Sequence, residues 1–418
     1  MLNAKSDDIA LNRNIRLYLI VPAVAGFSWW GLFVVLFNLF LLRLGYGPRF
    51  IGMLSALGPI VFILFSIPSG ALSQRWGSRR LIIVGVSLYA INFTLLPWGE
   101  VFETPWREVW FVTNFLLVFL GGALFWPNSD IYLMQVTTEA NRSRAFALRQ
   151  ALFPLAGFIG SLIAGQLPGL FARWLGSSID QPTPYRYALM LCGLAHIISV
   201  IAMVSTDSER LPKQVQALKD NGQQSSVGLG FISIILPLVL VEMLWKAGNT
   251  GPSNFFNVFL DIDLHISPER IGFLLGLGQL VAAVFALATP WLARRIGYGR
   301  ILFFSLLGMA IGLVTMAGSQ NVIRAGGGYI ILQALIAIST SAIAIYRMEK
   351  VDAIWWGWAS GIAIAAQGMG ESSILFAGGV IIEQWGFFAF FMTTAGVLVI
   401  GALFFFVYFR PFRDQALT

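Results

Sequence analysis

Glu242 and Glu371 lie near the middle of long apolar stretches of the sequence. An ionisable side chain at mid-membrane depth costs roughly 2.5–3.5 kcal/mol to insert, so each residue is a candidate for solute binding or proton transfer. Lys246 follows Glu242 by four residues, a spacing that places both side chains on one helix face, where they can pair. The pair either contacts solute or merely neutralises itself.

Glu371 differs from Glu242 because it has no basic residue within a helical turn. Burial should favour its neutral acid form unless another helix supplies a cation. Gln367, four residues earlier, shares its helix face. We expect Glu371 to couple transfer to protons or to act as a protonated structural hydrogen-bonding group. Glu242 is the competing proton site, although Lys246 should hold it ionised.

A second group of candidates consists of polar and aromatic residues inside the apolar stretches. Residues 248–254 combine two helix-breaking residue types with four polar side chains, among them Asn249 and Asn254. A local break there would free backbone groups to bind a solute, which a membrane tolerates beside a wet cavity. The amides Gln279 and Gln333 also lie at mid-depth, and we expect one or both to face that cavity.

Two adjacent tryptophans, Trp29 and Trp30, offer a stacking surface for a planar or sugar-like solute. His196 is expected to be a satisfied core histidine rather than a proton relay. The small residues around Gly160 predict close helix packing without any role in solute binding.

The elements that carry these residues are membrane-spanning helices. Apolar residues make up 57% of the 418 residues, charged residues only 11%, and the mean hydropathy is +0.77, which lies far outside the globular range. At roughly 20 apolar residues per span, the chain has material for about twelve spans. The predicted segments are 15–42, 50–73, 81–98, 109–134, 146–168, 187–205, 229–260, 270–293, 301–318, 327–346, 354–382 and 387–409.

Several function classes are excluded or disfavoured. The single cysteine and the two distant histidines exclude a disulfide framework and a Cys/His metal cluster, and neither a Gly-Lys-Ser/Thr nor a GxGxxG motif occurs. We expect no cofactor, and an enzyme is disfavoured because no nucleophile–base constellation is visible. The net charge of +7 comes from basic residues in short loops, so we expect no nucleic-acid partner.

The chain is predicted to consist of two helical halves with both termini in the cytoplasm. A polar stretch after the sixth segment separates them, and Lys and Arg number 19 on the side of the termini but 7 on the other side. The predicted parts are an N-terminal tail (1–14), a first six-helix bundle (15–205), a cytoplasmic linker (206–228), a second six-helix bundle (229–409) and a C-terminal tail (410–418).

An internal repeat supports the division into halves. Residues 48–80 align without a gap with residues 268–300, 220 positions later, and 12 of the 33 pairs are identical. Shared apolar composition would not also match Pro, three Gly and two Arg in register. One residue out of this phase, Asn38 matches Asn257. Two parallel six-helix repeats joined by a linker are an architecture of secondary transporters.

The loop between segments 2 and 3 carries a family resemblance. Residues 70–80 read GALSQRWGSRR and resemble the signature G-x-L-x-D-R-x-G-R-R of the major facilitator superfamily; residues 292–297, with Arg295 and Gly297, resemble a weaker second copy. The residues of interest in the first copy are Gly70, Gln74, Arg75, Gly77 and Arg79.

The resemblance implies an all-α fold of twelve transmembrane helices in two pseudo-symmetric bundles, with a cytoplasmic gate at the signature loop. Gln74 stands where the family has Asp, which implies a weaker or altered gate. Asp130 resembles the acidic residue that pairs with signature arginines, so Arg75 or Arg79 is its expected partner; an interfacial Asp in water is the alternative.

The sequence thus predicts a monomeric, multi-pass transporter of the inner (plasma) membrane. We expect it to move a small organic solute by alternating access, with coupling to protons. A membrane sensor that binds without translocation and an uncoupled uniporter remain the alternatives.

The predicted topology can be tested with single cysteines. Thr104→Cys and Asp180→Cys should react with a membrane-impermeant thiol reagent in intact cells, because both positions fall in loops with few basic residues. Asp220→Cys, in the linker, should not react. The reverse labelling would contradict the predicted orientation.

Overall fold

The structure is a computed structural model that describes residues 11–207, 229–351 and 355–409. These ranges are almost entirely helical and contain no β-strand. Most of the predicted linker (residues 208–228), most of the predicted N-terminal tail (residues 1–10) and all of the predicted C-terminal tail lie outside the described residues. The described part of the chain is the all-α protein that its apolar segments predict.

The helices follow one another with short connections. We number them in chain order, counting a π-helical stretch within α1 and a 3₁₀ turn after α3. They are α1 (Arg13–Arg43), α2 (Pro48–Trp76), α3 (Ser78–Leu95), α4 (Trp106–Val136), α5 (Glu139–Leu175), α6 (Thr183–Val204), α7 (Leu229–Ile262), α8 (Pro268–Ile296), α9 (Tyr298–Met316), α10 (Val322–Lys350) and α11 (Trp356–Phe409).

Ten helices within the described ranges are long and apolar enough to cross a membrane. The predicted number is twelve, and the difference arises at two places. α7, with 34 residues, is a further long helix that contains Glu242 and Lys246. α11 includes both of the last two predicted segments, and its backbone leaves the helical conformation at Gly386 (φ 77°, ψ 176°), between them.

The middle of α1 is a π-helix over Gly26–Phe33. It packs closely against α5 at glycines of both helices: a Cβ on Gly31 would lie 2.6 Å from the Cα of Gly160, and one on Gly26 would lie 2.1 Å from the carbonyl oxygen of Phe153. Such distances leave no room for a side chain. The expectation that Gly160 serves helix packing is confirmed.

The repeat of the sequence is repeated in the backbone. α2 and α8 each have 29 residues and their bounds differ by 220 positions. Gly77 and Gly297, which follow these helices, have φ angles of 85° and 80° and ψ angles of 143° and 155°. Side chains other than glycine rarely adopt positive φ, so the signature loop and its second copy share one turn that requires glycine.

The described residues form two compact units. The first unit contains the chain up to Phe33 and the stretch from Val61 into the linker; in it α3 packs against α4 and α6, and α5 packs against the π-helix of α1. The second unit contains Val34–Ile60 together with the residues after the linker, and here α7 packs mainly against α11.

These two compact units differ in one respect from the two halves that the sequence predicts. The end of α1 and the start of α2 pack with helices of the second half. A Cβ on Gly52 of α2 would lie 2.4 Å from the carbonyl oxygen of Leu375, and one on Gly379 would lie 2.6 Å from that of Pro48. Backbone contact between α2 and α11 is possible because both positions are glycine.

The packing of α5 can be tested with two alanine substitutions in the same helix. In Gly160→Ala the new Cβ would lie 2.6 Å from the carbonyl oxygen of Phe27; we expect a loss of about 1–3 kcal/mol and a thermal midpoint lower by several degrees. Gly169→Ala is the control, since nothing lies within 4 Å of its Cβ. Equal midpoints for the two variants, measured in detergent, would contradict the packing.

Candidate functional site

A buried ion pair joins three helices of the second unit. Glu242 of α7 is fully buried, and its two carboxylate oxygens accept hydrogen bonds from Nη1 of Arg347 on α10 at 2.6 and 2.8 Å. Nε2 of Gln367 on α11 donates to the same carboxylate at 2.7 Å. Charged and amide donors thus occupy the acceptor positions of this carboxylate, so the network fits a fixed structural pair.

A second ion pair lies one helical turn further along α7. Nζ of Lys246 lies 3.2 Å from Oε2 of Glu371 on α11, and the two side chains are 28% and 24% exposed. In contrast with Glu242, neither side chain of this pair is fully buried.

The predicted pairing of Glu242 with Lys246 is therefore wrong. Spacing of four residues places them on one face of α7, but α10 and α11 bring Arg347 and Glu371 into closer contact. Glu371 has no basic residue within a helical turn, but Lys246 of another helix supplies a cation, which is the alternative that the sequence left open. The spacing of residues within one helix cannot predict partners that are 105 and 125 residues away along the chain.

The predicted break at 248–254 is also wrong, because α7 remains helical from Leu229 to Ile262. The glycines serve packing instead: a Cβ on Gly248 would lie 2.2 Å from a methyl group of Leu398, and one on Gly251 would lie 2.8 Å from Ile374. Oδ1 of Asn249 accepts from the Thr250 hydroxyl, at 3.0 Å. The structure places no freed backbone binding site in the described part of α7.

Asn254 takes part in a polar contact between α1 and α7 instead. Nδ2 of Asn38 donates to the backbone oxygen of Asn254 at 2.8 Å and to Oδ1 of Asn257 at 3.1 Å, while Asn257 donates back to the carbonyl of Val34 at 2.9 Å. Asn38 and Asn257 are the two residues that the repeat matches. Equivalent residues of the two repeats thus bind each other.

An ion pair extends this contact towards the helix ends. Arg43 of α1 makes a bidentate pair with Asp261 of α7, with both N–O distances at 2.7 Å. Bidentate arginine–carboxylate pairs are among the stronger protein hydrogen bonds. The end of α1 is therefore held to α7 at two levels.

The two amide candidates of α8 and α10 are buried inside the second unit. Nε2 of Gln333 donates to the hydroxyl of Tyr329 at 2.6 Å, one turn earlier in α10. The Tyr329 ring is stacked on Phe256 at 4.1 Å. Gln279 is 7% exposed. The described contacts of Gln333 are structural and do not place it at a cavity.

The first unit contains an aromatic cavity of about 400 Å³. Trp29 and Trp30 both lie in its wall, as do Arg149, Gln150 and His196. The π-helix of α1 carries both tryptophans, and π-helical turns are frequent at functional sites. The structure thus places the tryptophan candidates of the sequence at a cavity large enough for a small organic molecule.

At the edge of this cavity a polar network joins α1, α4 and α5. Arg149 of α5 forms an ion pair with Asp130 of α4, and the Tyr18 hydroxyl is hydrogen-bonded to Ser129 Oγ. The expected pairing of Asp130 with Arg75 or Arg79 is wrong. Arg149 reaches Asp130 because α5 packs beside α4, a neighbour relation that the signature motif does not contain.

Arg79 has other partners at the end of α6. Its Nε donates to the hydroxyl of Thr206, and its Nη2 to the carbonyl of Val204, both at 2.8 Å. Arg75 is exposed and Gly70 has open space around its Cα. In the second copy, the guanidinium of Arg295 lies over the Trp291 ring at 4.2 Å. The side chain of Gln74 lies outside the described residues.

Comparison with known proteins decides the family. The sequence pattern of the Major Facilitator Superfamily matches residues 18–353. The chain belongs to the Major Facilitator Superfamily. This confirms the resemblance of the signature loop, and it makes the protein an integral membrane protein of a family whose solved neighbours are transporters rather than enzymes.

Curated relatives of this superfamily member include transporters of several kinds. A Na(+), Li(+), K(+)/H(+) antiporter of Planococcus maritimus is 27% identical over 159 residues, 37% of this chain and 36% of that protein. Multidrug resistance protein 1 of Bacillus subtilis is 23% identical over 264 residues, 62% of this chain and 63% of that protein. The chain therefore spans less than two thirds of the length of these two relatives.

Solved structures confirm the fold. A variant of the nucleoside transporter NupG superposes with a TM-score of 0.75, covering 94% of this chain and 100% of that one at 15% identity. The xylose transporter XylE from E. coli, in an inward open conformation, gives 0.71 over 95% and 94% at 16% identity. At such low identity the likeness establishes the superfamily fold alone.

Some site residues of this superfamily member were missed by the sequence analysis. Arg347, Arg149 and Arg43 were counted only as basic residues of loops and helix ends, and all three form ion pairs with residues on other helices. The match of Asn38 with Asn257 could have predicted this contact, because a polar residue that occurs in both repeats within an apolar segment is expected to have a hydrogen-bond partner inside the protein. His196 was expected in the core but also lines the cavity.

The revised pairing can be tested by charge removal. Glu242→Gln alone leaves Arg347 as a buried, unpaired cation, so we expect a loss of about 3–5 kcal/mol. The double variant Glu242→Gln/Arg347→Met removes both charges and should unfold near the wild-type temperature. Thermal unfolding of the purified protein measures both.

The control for this test is Glu242→Gln/Lys246→Met. It would be the neutral double variant if the i, i+4 pair were correct, but on the observed contacts it leaves both Arg347 and Glu371 unpaired. We expect this control to be less stable than Glu242→Gln alone and less stable than Lys246→Met alone. Full stability of this control would contradict the observed network.

Proposed function

We propose that the protein is a secondary active transporter that moves a small organic solute by alternating access, with coupling to protons. The observation that supports this most directly is the Lys246–Glu371 pair between α7 and α11, whose side chains are 28% and 24% exposed. The neighbouring Glu242–Arg347 pair is buried, and its carboxylate accepts three hydrogen bonds. Of the two pairs, Lys246–Glu371 is the one that water and solute can reach.

Protonation of Glu371 gives this pair two states. In the ionised state the carboxylate and the ammonium neutralise each other; in the protonated state Lys246 loses its partner and is left to bind solute or water. If protonation of Glu371 stabilises one conformation of the protein more than another, it shifts the equilibrium between these conformations. A membrane potential contributes about 2.3 kcal/mol per charge and 100 mV, equal to roughly fifty-fold accumulation for one proton per cycle.

The contacts of Val34–Ile60 within the second unit supply a candidate gate. By the count of basic residues, Arg43 lies at the extracytoplasmic end of α1. Alternating access requires that its pair with Asp261 and the Asn38–Asn257 contact break and re-form in each cycle. Because α2 and α11 meet at glycines, no side chains interdigitate at this contact, and the two helices can separate there without side-chain rearrangement.

The remaining parts of the proposal concern location and partners. We propose an inner-membrane protein with cytoplasmic termini, in agreement with the 19-to-7 distribution of basic residues. Its partners are the solute, protons and the lipid bilayer, and a monomer is sufficient for the mechanism. Two of the relatives, a Na(+), Li(+), K(+)/H(+) antiporter and a multidrug resistance protein, agree with a coupled transporter.

The experiment uses purified protein in liposomes that contain a pH-sensitive dye. Solutes that raise the thermal midpoint of the protein are added one at a time, and proton movement and solute counterflow are recorded together. For the wild type we expect solute-dependent proton movement and accumulation under an imposed pH gradient.

In Glu371→Gln the amide imitates the protonated acid. We expect this variant to retain counterflow and to lose accumulation, because its side chain no longer exchanges a proton. Glu383→Gln is the matched control, an exposed acid on the same helix, and should behave as the wild type.

Each alternative gives a different result. Accumulation by Glu371→Gln at the wild-type level would make Glu371 structural. Counterflow without proton movement in the wild type would indicate a uniporter. Binding without counterflow would indicate a sensor.

A further inference from the structure

His196 has a hydrogen-bonding atom that the fold does not use. The side chain lies on α6 and is 1% exposed. Its Nδ1 lies 2.8 Å from the carbonyl oxygen of Cys192, and because a carbonyl only accepts, Nδ1 carries the hydrogen. Nε2 of the neutral ring is then an acceptor, and it is buried without a hydrogen-bond partner among the described residues.

The position of this acceptor is fixed. Nδ1 is bound to the carbonyl of the preceding turn of α6, so Nε2 points away from that helix. The Tyr89 ring meets the imidazole edge-on at 5.0 Å, and the Phe93 ring stacks on it at 5.6 Å. Buried acceptors normally have a donor. Here the imidazole is a wall of the cavity of about 400 Å³, which is where a donor can come from.

The other walls of the cavity determine what kind of molecule fits. Eight of the fourteen lining residues are Phe, Tyr or Trp. Apart from these aromatic residues, the polar lining residues are His196, Arg149 and Gln150. A sugar carries hydroxyl groups all around its ring and would leave most of them without partners here. A planar aromatic molecule can stack on Trp29 and Trp30 and needs few hydrogen bonds.

The charge of the cavity also limits the solute. Arg149 is paired with Asp130 and contacts the Ser129 hydroxyl at 3.4 Å. Because the guanidinium already has a carboxylate partner, the cavity does not require an anion.

We propose that this cavity binds a planar aromatic solute that donates an N–H or O–H hydrogen bond to Nε2 of His196. The inference rests on the proposed function, since it names the class of solute that the transporter takes. His196 is then a specificity-determining residue, and the tryptophans of α1 supply the stacking surface.

The test compares two probes, 2-naphthol and 2-methoxynaphthalene, in which a methyl group replaces the hydroxyl hydrogen that the first can donate. Equilibrium dialysis with the full chain in detergent measures the binding of each, with protein-free micelles subtracted. We expect the wild type to bind 2-naphthol about three- to tenfold more tightly, the range of a single net hydrogen bond. Indole and 1-methylindole form a second pair and should show the same order.

Three variants assign the preference to His196. His196→Phe keeps an aromatic ring but no acceptor, and should bind both naphthalenes with nearly equal affinity. His196→Gln offers an amide oxygen near the place of Nε2 and should regain part of the preference. His265→Asn changes the other histidine, which lies outside the cavity lining, and should retain the wild-type ratio.

Two results would overturn the inference: equal binding of the paired probes by the wild type, or an unchanged preference in a folded His196→Phe. The wild-type comparison needs no variant, so poor folding of His196→Phe does not remove the test. If neither naphthalene nor indole binds but another solute class shows proton-coupled counterflow, this inference fails while the proposed transport stands. Binding of the donor probes without counterflow supports the cavity and contradicts transport.

Discussion

The structure depends on one constraint, which is that a charge inside a membrane must be neutralised by a partner within the protein. Glu242 is the clearest case. Its carboxylate is fully buried, and its donors come from α10 and α11, so the helix that carries the glutamate and the two that carry its partners are held together. The Arg149–Asp130 pair in the first unit also joins α5 to α4, although the Asp130 side chain is exposed.

The same constraint separates a static site from one that can change. A buried charge pair, such as Glu242–Arg347, would be costly to separate and suits a scaffold. The Lys246–Glu371 pair is partly exposed, so separating its two charges would cost less. Glycine contacts between helices complement this arrangement, because they give close packing without interlocked side chains.

Four features could be predicted from the sequence: the all-α membrane fold class, the positions of the apolar segments, the internal repeat and the family. These features are local, or they are matches between stretches of one chain. Apolar run length follows from membrane thickness, and the repeated Gly77 and Gly297 occupy turns with positive φ in both copies. The i, i+4 rule also placed Glu242 and Lys246 on one helix face, although it could not say what faces them.

The tertiary structure alone decided which charges meet. Arg347 is 105 residues from Glu242, Glu371 is 125 residues from Lys246, and Arg149 reaches Asp130 from a neighbouring helix. No periodicity within one helix contains that information, since it depends on which helices pack together and on their rotation about their axes. His196 shows the same limit: burial could be predicted from its segment, but an unused acceptor in the wall of an aromatic cavity is a property of the folded first unit, because five other helices supply the remaining walls.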